Sequence, residues 1–303
     1  MSDARESIGE CRDLSPMPMA IGNPWPRRVC RLLLPILGLV GTLRDAGAST
    51  VAPDDTDPVQ ATLIAESPTL TPGGSVRLGL RLLHAPHWHT YWLNPGDSGL
   101  ATRLRFTLPA GYSVDDVVWP VPTRFDVGGL DNFGYSGDIL LPVRLHVPAN
   151  AKPGDSASIG VEAVWLMCRD QCFPGKSHLS VILPVLEQAA EPNSAFAELF
   201  ARATEGMSKD APWQAQARVR GESVVVTVIG NNLPRPEGLD AFVQERKLVG
   251  YASPEISSTV DGIQLVFPKS DYFSGAPSQM NVLLVRATGV PRAWHVIAPI
   301  NLP

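Results

Sequence analysis

The residues with the clearest capacity for chemistry are Cys168 and Cys172, in the run Trp165-Leu166-Met167-Cys168-Arg169-Asp170-Gln171-Cys172-Phe173-Pro174-Gly175. Two thiols this close can open and close as a pair, because the second is a ready resolving partner once the first has attacked a disulfide. They can also form a structural bond. Closing so short a loop removes little unfolded-chain entropy, roughly 2 kcal/mol. A metal site is the third reading, but no second Cys or His pair of zinc-finger spacing accompanies them. Arg169 favours a thiolate and Asp170 opposes it, so the neighbouring charges do not by themselves set the thiol pKa.

The elements that must position this pair read as β. From Ser156 to Trp165, Ala157, Ile159, Val161, Ala163 and Trp165 recur at every second position, and Ser177–Leu183 is a short apolar run without helical period. Phe173-Pro174-Gly175 carries turn residues. The pair is therefore expected at the tip of a β-hairpin or in the loop beside it.

The chain has 303 residues, 44% hydrophobic and 18% charged, which allows two domains of modest size. Its 29 prolines and 26 glycines are scattered, as suits many short strands joined by turns. Near the start, Arg27, Arg28 and Arg31 precede the apolar run Leu32–Leu43, and Ala46-Gly47-Ala48 follows. A basic region, a short apolar region and an Ala-x-Ala site make a secretory signal peptide over residues 1–48, cleaved after Ala48. The stretch before the basic region is long, and Met17 and Met19 are candidate starts. Cleavage would remove Cys11 and Cys30, leaving Cys168 and Cys172 as the cysteines of the exported chain. In an oxidising compartment a disulfide between them is the expected resting state. Taking away the six arginines and five acids of residues 1–48 leaves 19 basic and 25 acidic residues, a net charge of −6. With no basic patch, nucleic acid is not an expected partner.

From residue 52 the pattern is one of strands and turns. Gln60–Ser67, Ser75–Leu83, Arg103–Leu108, Val114–Trp119 and Ile139–Val147 are strand-like, and Thr71-Pro72-Gly73-Gly74 and Asn94-Pro95-Gly96-Asp97-Ser98-Gly99 are turn-like. This spacing predicts an antiparallel sandwich. In a strand, His87, His89 and Tyr91 would share a face. His-x-His is a possible copper or zinc pair, against the plainer reading of a half-buried aromatic strand whose histidines bond locally. Phe125 to Asp138 is glycine-rich and aromatic, and reads as a loop whose rings either seal the sandwich end or act as a lid.

The run His87-Trp88-His89-Thr90-Tyr91-Trp92-Leu93-Asn94-Pro95-Gly96-Asp97-Ser98-Gly99 resembles a signature stretch of the periplasmic N-terminal region of DsbD-family thiol:disulfide interchange proteins, nearest to their ScsB-like branch. Trp119-Pro120, Asn132-Phe133-Gly134-Tyr135 with Leu141-Pro142-Val143, and Trp165 through Pro174 match in the same order, so the resemblance covers most of residues 55–187. It implies an immunoglobulin-like fold over residues 52–187 and a protein-disulfide reductase type of exchange at Cys168 and Cys172. It places Asn132, Phe133 and Tyr135 in a cap loop over the disulfide. The implied partners are periplasmic thioredoxin-like or disulfide isomerase proteins. No cofactor and no metal is implied. The family's membrane and thioredoxin-like domains have no counterpart in this sequence, so a separate membrane electron donor is expected.

After Leu186 the composition changes. Residues 188–210 read as a linker with a short helix, in which Phe196, Leu199, Phe200 and Ala203 share a face and Ser194 is the expected cap. Residues 211–303 read as a second, smaller β domain without cysteine, with strands near Ala215–Val219, Ser223–Ile229, Ala241–Gln244, Gly262–Phe267, Gln279–Arg286 and Ala293–Pro299. No Gly-x-Ser-x-Gly, His-Glu-x-x-His or phosphate-loop motif is present. Three functions stay open: periplasmic thiol:disulfide exchange, a β-sandwich adaptor with a structural disulfide, and copper handling by His87, His89, Met167 and the cysteines. The signal-peptide reading has a direct check. Amino-terminal sequencing of the native protein should find a chain starting at Ser49, and one that retains Leu32–Leu43 refutes cleavage.

Overall fold

A computed structural model of the protein describes residues 56–286 and 292–301, so the signal-peptide reading of residues 1–48 lies outside the described residues. Ten strands come first: β1 (Val59–Ala65), β2 (Ser75–His84), β3 (Thr90–Gly96), β4 (Arg103–Thr107), β5 (Ser113–Val114), β6 (Thr123–Val127), β7 (Leu130–Tyr135), β8 (Asp138–His146), β9 (Ser156–Cys168) and β10 (Cys172–Pro184). Helix α1 (Ser194–Glu205) follows. Then come β11 (Lys209–Asp210), β12 (Gln214–Arg220), β13 (Ser223–Ile229), β14 (Leu239–Val243), β15 (Glu255–Ser258), β16 (Gly262–Pro268), β17 (Gln279–Arg286) and β18 (Ala293–Asn301).

The first ten strands make three sheets, in the orders β1-β2-β8-β5, β10-β9-β4 and β3-β7-β6. The first two face each other. Leu63, Leu78, Val143 and Leu145 from one meet Ile159, Val161 and Leu183 from the other. The period-two patterns of β2 and β9 are the cause, since alternate side chains point to one face. Val76, Leu78, Leu80 and Leu82 are all buried, as are Ala157, Ile159, Val161, Ala163 and Trp165. The fold is all-β and immunoglobulin-like here, as the sequence predicts.

The helix covers the outer face of the first sheet. Leu199, Phe200 and Ala203 pack on Ile64 and Leu140. Arg77 lies 5.3 Å over the Phe200 ring and donates to Thr204 Oγ1 at 2.6 Å. The cap is Asn193, whose side chain accepts from the Ala195 N–H at 3.1 Å, one residue before the expected Ser194. Strands β11–β18 form one further sheet, ordered β14-β17-β18-β12-β13-β16-β15 with β11 beside β18. Val226, Leu265, Phe267, Leu284 and Val296 are in its core. The sequence pattern anticipates six of these strands. It misses β11 and β15, which are short and mostly exposed and so carry no alternation.

The third sheet joins the two β regions. Trp92 of β3 and Phe133 of β7 pack on Phe242 of β14, with ring centroids 6.2 and 5.0 Å apart. The Arg124 guanidinium lies over Phe133 at 4.8 Å and Phe242 at 5.3 Å, and pairs with Asp240 at 3.1 Å. Asn94 Nδ2 donates to the Val243 carbonyl at 2.8 Å. A charge held between two rings and bonded to a carboxylate is satisfied in a site where water is scarce.

Three local expectations differ from the structure. The stretch 125–138 is mainly the β6–β7 hairpin and not a loop. Gly128 and Gly129 lie between the paired Val127 and Leu130 with φ of 65° and 83°, the positive values a two-residue hairpin turn demands. Asn94-Pro95-Gly96 closes β3 and is not a turn, and Gly96 pairs with Asn132 across an irregular register. Phe173-Pro174-Gly175 lies within β10, an edge strand where a proline removes no ladder bond that is needed. Gly175 is there for space, because a Cβ would come within 2.3 Å of the Trp165 ring.

His84 ends β2 and ties it to the β7–β8 connection and to the start of β3. Its Nδ1–H donates to the Gly137 carbonyl at 2.7 Å, and Nε2 accepts from the Thr90 hydroxyl at 2.9 Å. Burial is the main cause that holds its pKa down at about 4. The unfolded chain takes up this proton near pH 6.5 and the folded chain only near 4. Stability is therefore lost as pH falls between these values, by roughly 3 kcal/mol from this residue. His89, also lowered by burial, adds a loss of the same sign. His84→Gln keeps a donor and an acceptor and should flatten this part of the curve. Urea midpoints at pH 7 and pH 4.5 test it, and an undiminished pH effect in the variant overturns the assignment.

Candidate redox site

Cys168 is the last residue of β9 and Cys172 the first of β10. They face each other in the hairpin register and are joined by a disulfide, with Arg169-Asp170-Gln171 as the turn between them. The long alternating strands behind them bring the ends together. Cys168 is fully buried, whereas Cys172 is exposed. The two sulfurs thus differ sharply in access.

The hairpin tip is held from the side by the start of β3. The His89 N–H donates to the Cys168 carbonyl and the Cys168 N–H donates to the His89 carbonyl, both at 3.0 Å. Two residues on, the Tyr91 hydroxyl donates to Cys168 Sγ at 2.9 Å and lies 3.8 Å from Cys172 Sγ. Burial pushes the Tyr91 phenol above its ordinary value, and a hydrogen bond with Ser98 works against that rise. The phenol therefore stays a protonated donor near neutral pH. The His89 ring is buried, lies edge-on to Tyr91 at 5.3 Å and stacks on Phe125 at 4.9 Å. Thr90 and Tyr91 of β3, with His84 of β2, complete the polar set.

The charges that the sequence leaves in balance neutralise each other. Arg169 Nε bonds Asp170 Oδ2 at 2.9 Å, and the guanidinium also lies 5.3 Å over the Trp88 ring. Trp88 in turn meets Phe173 at 6.1 Å. Beside the exposed cysteine is a cleft of about 530 Å³, lined by Thr56, Pro58, Trp88, Met167, Arg169, Asp170, Gln171 and Phe173. Phe173 is 47% exposed, an unusual setting for a large ring.

Residues 59–184 match the family described as thiol:disulfide interchange protein DsbD, N-terminal. These residues form a DsbD N-terminal domain. Both cysteines fall within the matched span. Among solved structures, the N-terminal periplasmic domain of ScsB from Proteus mirabilis is 18% identical. That match covers 83% of this chain and 96% of that chain, at a TM-score of 0.61. The likeness is one of fold, and it extends beyond the DsbD N-terminal domain into the second β region. The SGBP-B protein of a Bacteroides ovatus mixed-linkage glucan utilization locus is 10% identical over 84% of this chain and 46% of that chain, at a TM-score of 0.19. A titin I-band fragment, I67-I69, is 12% identical over 81% and 66%, at 0.21. No curated protein sequence matches the chain.

The residues expected in the cap, Asn132, Phe133 and Tyr135, bond and pack with groups other than the cysteines. Phe133 packs on Trp92, Phe242 and Tyr251 at the junction with the second β region. The buried Tyr135 hydroxyl donates to the Pro120 carbonyl at 2.7 Å. Asn132 is fully buried and accepts from the Ser98 N–H and hydroxyl at 3.0 and 2.8 Å. The period-two rule explains the difference: along a strand, Phe133 and Tyr135 share one face, and their hairpin partner strand offers Phe125 to His89 instead. The His-x-His reading also fails to converge. His87 is exposed at φ 69° in the turn before β3, whereas His89 is buried on the strand's bridge to Cys168. Tyr91 is the site residue that sequence reasoning passed over as a functional group. Its place two residues after His89, on the same face, was the available signal.

Phe125→Ala should open the approach past His89 and speed reduction of the pair by dithiothreitol several-fold. Phe133→Ala should leave that rate nearly unchanged and lower stability by about 3–5 kcal/mol, the usual cost of deleting a buried ring. Stopped-flow rates and urea denaturation check both, and acceleration by Phe133→Ala alone would restore the original cap assignment.

Proposed function

We propose that the protein is a periplasmic thiol:disulfide interchange module that passes reducing equivalents through Cys168 and Cys172. The observation that carries this is the asymmetry of the pair: an exposed Cys172 bonded to a buried Cys168 that has a phenolic donor on its sulfur. A bond kept only for structure needs neither an open partner nor a donor on the other sulfur. The family match over residues 59–184 supports the same reading.

The exchange follows from the geometry. A donor thiolate attacks the accessible Cys172 sulfur, the Cys168–Cys172 bond breaks, and Cys168 leaves as a thiolate beside the Tyr91 hydroxyl. The donor's second thiolate then attacks its own sulfur in the mixed disulfide and releases Cys172. The donor becomes a disulfide, the pair becomes a dithiol, and two electrons and two protons have moved. In the forward transfer, Cys172 attacks the disulfide of a thioredoxin-like or disulfide isomerase partner, and Cys168 resolves the mixed disulfide. A membrane donor supplies the electrons. The cleft beside Cys172, with Trp88, Met167 and Phe173, offers the partner an apolar seat.

Cys168→Ser leaves Cys172 exposed and unable to resolve. It should accumulate a mixed disulfide with an oxidised, exported thioredoxin-like protein, and Cys172→Ser should accumulate less. Non-reducing electrophoresis with and without dithiothreitol reads the adduct. The wild-type reduction potential should lie well above about −300 mV, the region of structural disulfides. A pair that traps no partner in either variant and resists reduction in the wild type is structural, and the adaptor reading takes over.

A further inference from the structure

The segment that follows Tyr91 wraps round its ring. Gly99 lies against the ring face, where a Cβ would come within 2.2–2.5 Å of three ring carbons, and its φ of 94° suits glycine. Tyr91 pairs with Ala101 in a parallel bridge just beyond. Between them lies Ser98, whose side chain works against the burial-raised pKa of the phenol. Ser98 is itself held by Asn132, whose Oδ1 takes the Ser98 N–H at 3.0 Å and lies 2.8 Å from the hydroxyl. Asn132 is completely buried, and its Nδ2 donates to the Leu130 carbonyl at 3.3 Å. Asp97 locks the same segment to β7, its N–H on the Asp131 carbonyl at 2.9 Å and its Oδ2 on the Asp131 N–H at 2.8 Å. Asn94 closes the near end, accepting from the Gly96 N–H at 3.3 Å and donating to the Val243 carbonyl at 2.8 Å.

Gly99 and the Ala101 bridge bear directly on Tyr91, and the remaining anchors fix the segment that carries them. We infer that residues 94–99 are a holder for the Tyr91 phenol, and that Ser98 and Asn132 are positioning residues that set the redox balance of the pair through Tyr91. The inference rests on the exchange function proposed above and deepens it. Tyr91 donates its proton to the sulfur and Ser98 donates its own to Asn132 Oδ1, so the holder acts by position: Asn132 fixes Ser98, and Gly99 beside it bears on the ring. When Cys168 leaves as a thiolate, the Tyr91 bond becomes one to a charged acceptor and strengthens. An aligned phenol therefore favours the reduced pair and speeds its formation. A phenol that has lost its holder keeps the same chemistry but spends less time in line with the sulfur.

The test is a double-mutant cycle on the purified full chain, read with dithiothreitol and a glutathione redox buffer so that no protein partner is involved. Tyr91→Phe should lower the equilibrium constant for reduction roughly tenfold or more, the worth of a hydrogen bond to a charged group, and slow the reaction with dithiothreitol in step. Ser98→Ala should shift both in the same direction by a smaller factor, and Ser98→Thr, which keeps the hydroxyl, should restore most of the loss. Asn132→Ala should resemble Ser98→Ala, with circular dichroism as the check on folding. The deciding result is in the Tyr91→Phe background, where Ser98→Ala should have no further effect. A Ser98→Ala loss that persists undiminished without the phenol overturns the inference, as does an unshifted equilibrium in Tyr91→Phe. Neither result touches partner trapping by Cys168→Ser. A pair that no small thiol reduces defeats the exchange function itself.

Discussion

The arrangement depends on two backbone hydrogen bonds between His89 and Cys168. They join strands from different sheets, β3 from the small third sheet and β9 from the sandwich. Without them the hairpin tip would be a free end, since β10 is an edge and the turn holds only three residues. With them, the buried cysteine is in register with the aromatic strand. The alternation of that strand then decides what meets the sulfur. His89 and Tyr91 are two residues apart and so share a side, and the longer phenol reaches Sγ.

That register is maintained from behind by the second β region. Trp92 and Phe133 press on Phe242, Arg124 is held between the rings and Asp240, and Asn94 reaches the Val243 main chain. These contacts lie on the face of β3 and β7 opposite to, or beyond, the redox face. A domain without cysteine thus contributes stiffness, not chemistry. Sites that act through a sub-ångström hydrogen-bond geometry need such support, because an element free to shift loses the alignment first.

The fold was legible wherever burial imposes a period. β2, β9 and β13 alternate because one face is covered, and α1 shows its three- and four-residue spacing for the same reason. Elements that owe their existence to long-range pairing carried no such mark. The β6–β7 hairpin looked like a loop because its two turn glycines and exposed tip mask two short strands. Asn94-Pro95-Gly96 looked like a turn because turn residues can also end an irregular strand. The cysteine pair was legible from spacing alone and its placement at a hairpin tip from the flanking alternation. The roles of Tyr91, Ser98 and Asn132 were not, because they arise from contacts across 34 and 77 residues of sequence. The packing of Phe133 on Phe242 was not legible either, since Phe242 lies in a region that the redox motifs do not reach.

What tunes this pair is a neutral group. The two charges of the turn, Arg169 and Asp170, bond each other. Their opposed effects on a thiolate largely cancel, and both are solvent-facing, where water screens what remains. A cationic neighbour would stabilise a thiolate permanently and make its leaving sulfur a poor nucleophile for the return step. A phenol behaves differently. It donates only weakly to a disulfide sulfur and strongly to a thiolate, so its contribution appears when the bond breaks. For that, the phenol must stay protonated, and burial raises its pKa away from the working range. The hydrophobic surroundings of β3 therefore serve the chemistry directly: the same burial that packs Tyr91 into the sandwich keeps it a donor.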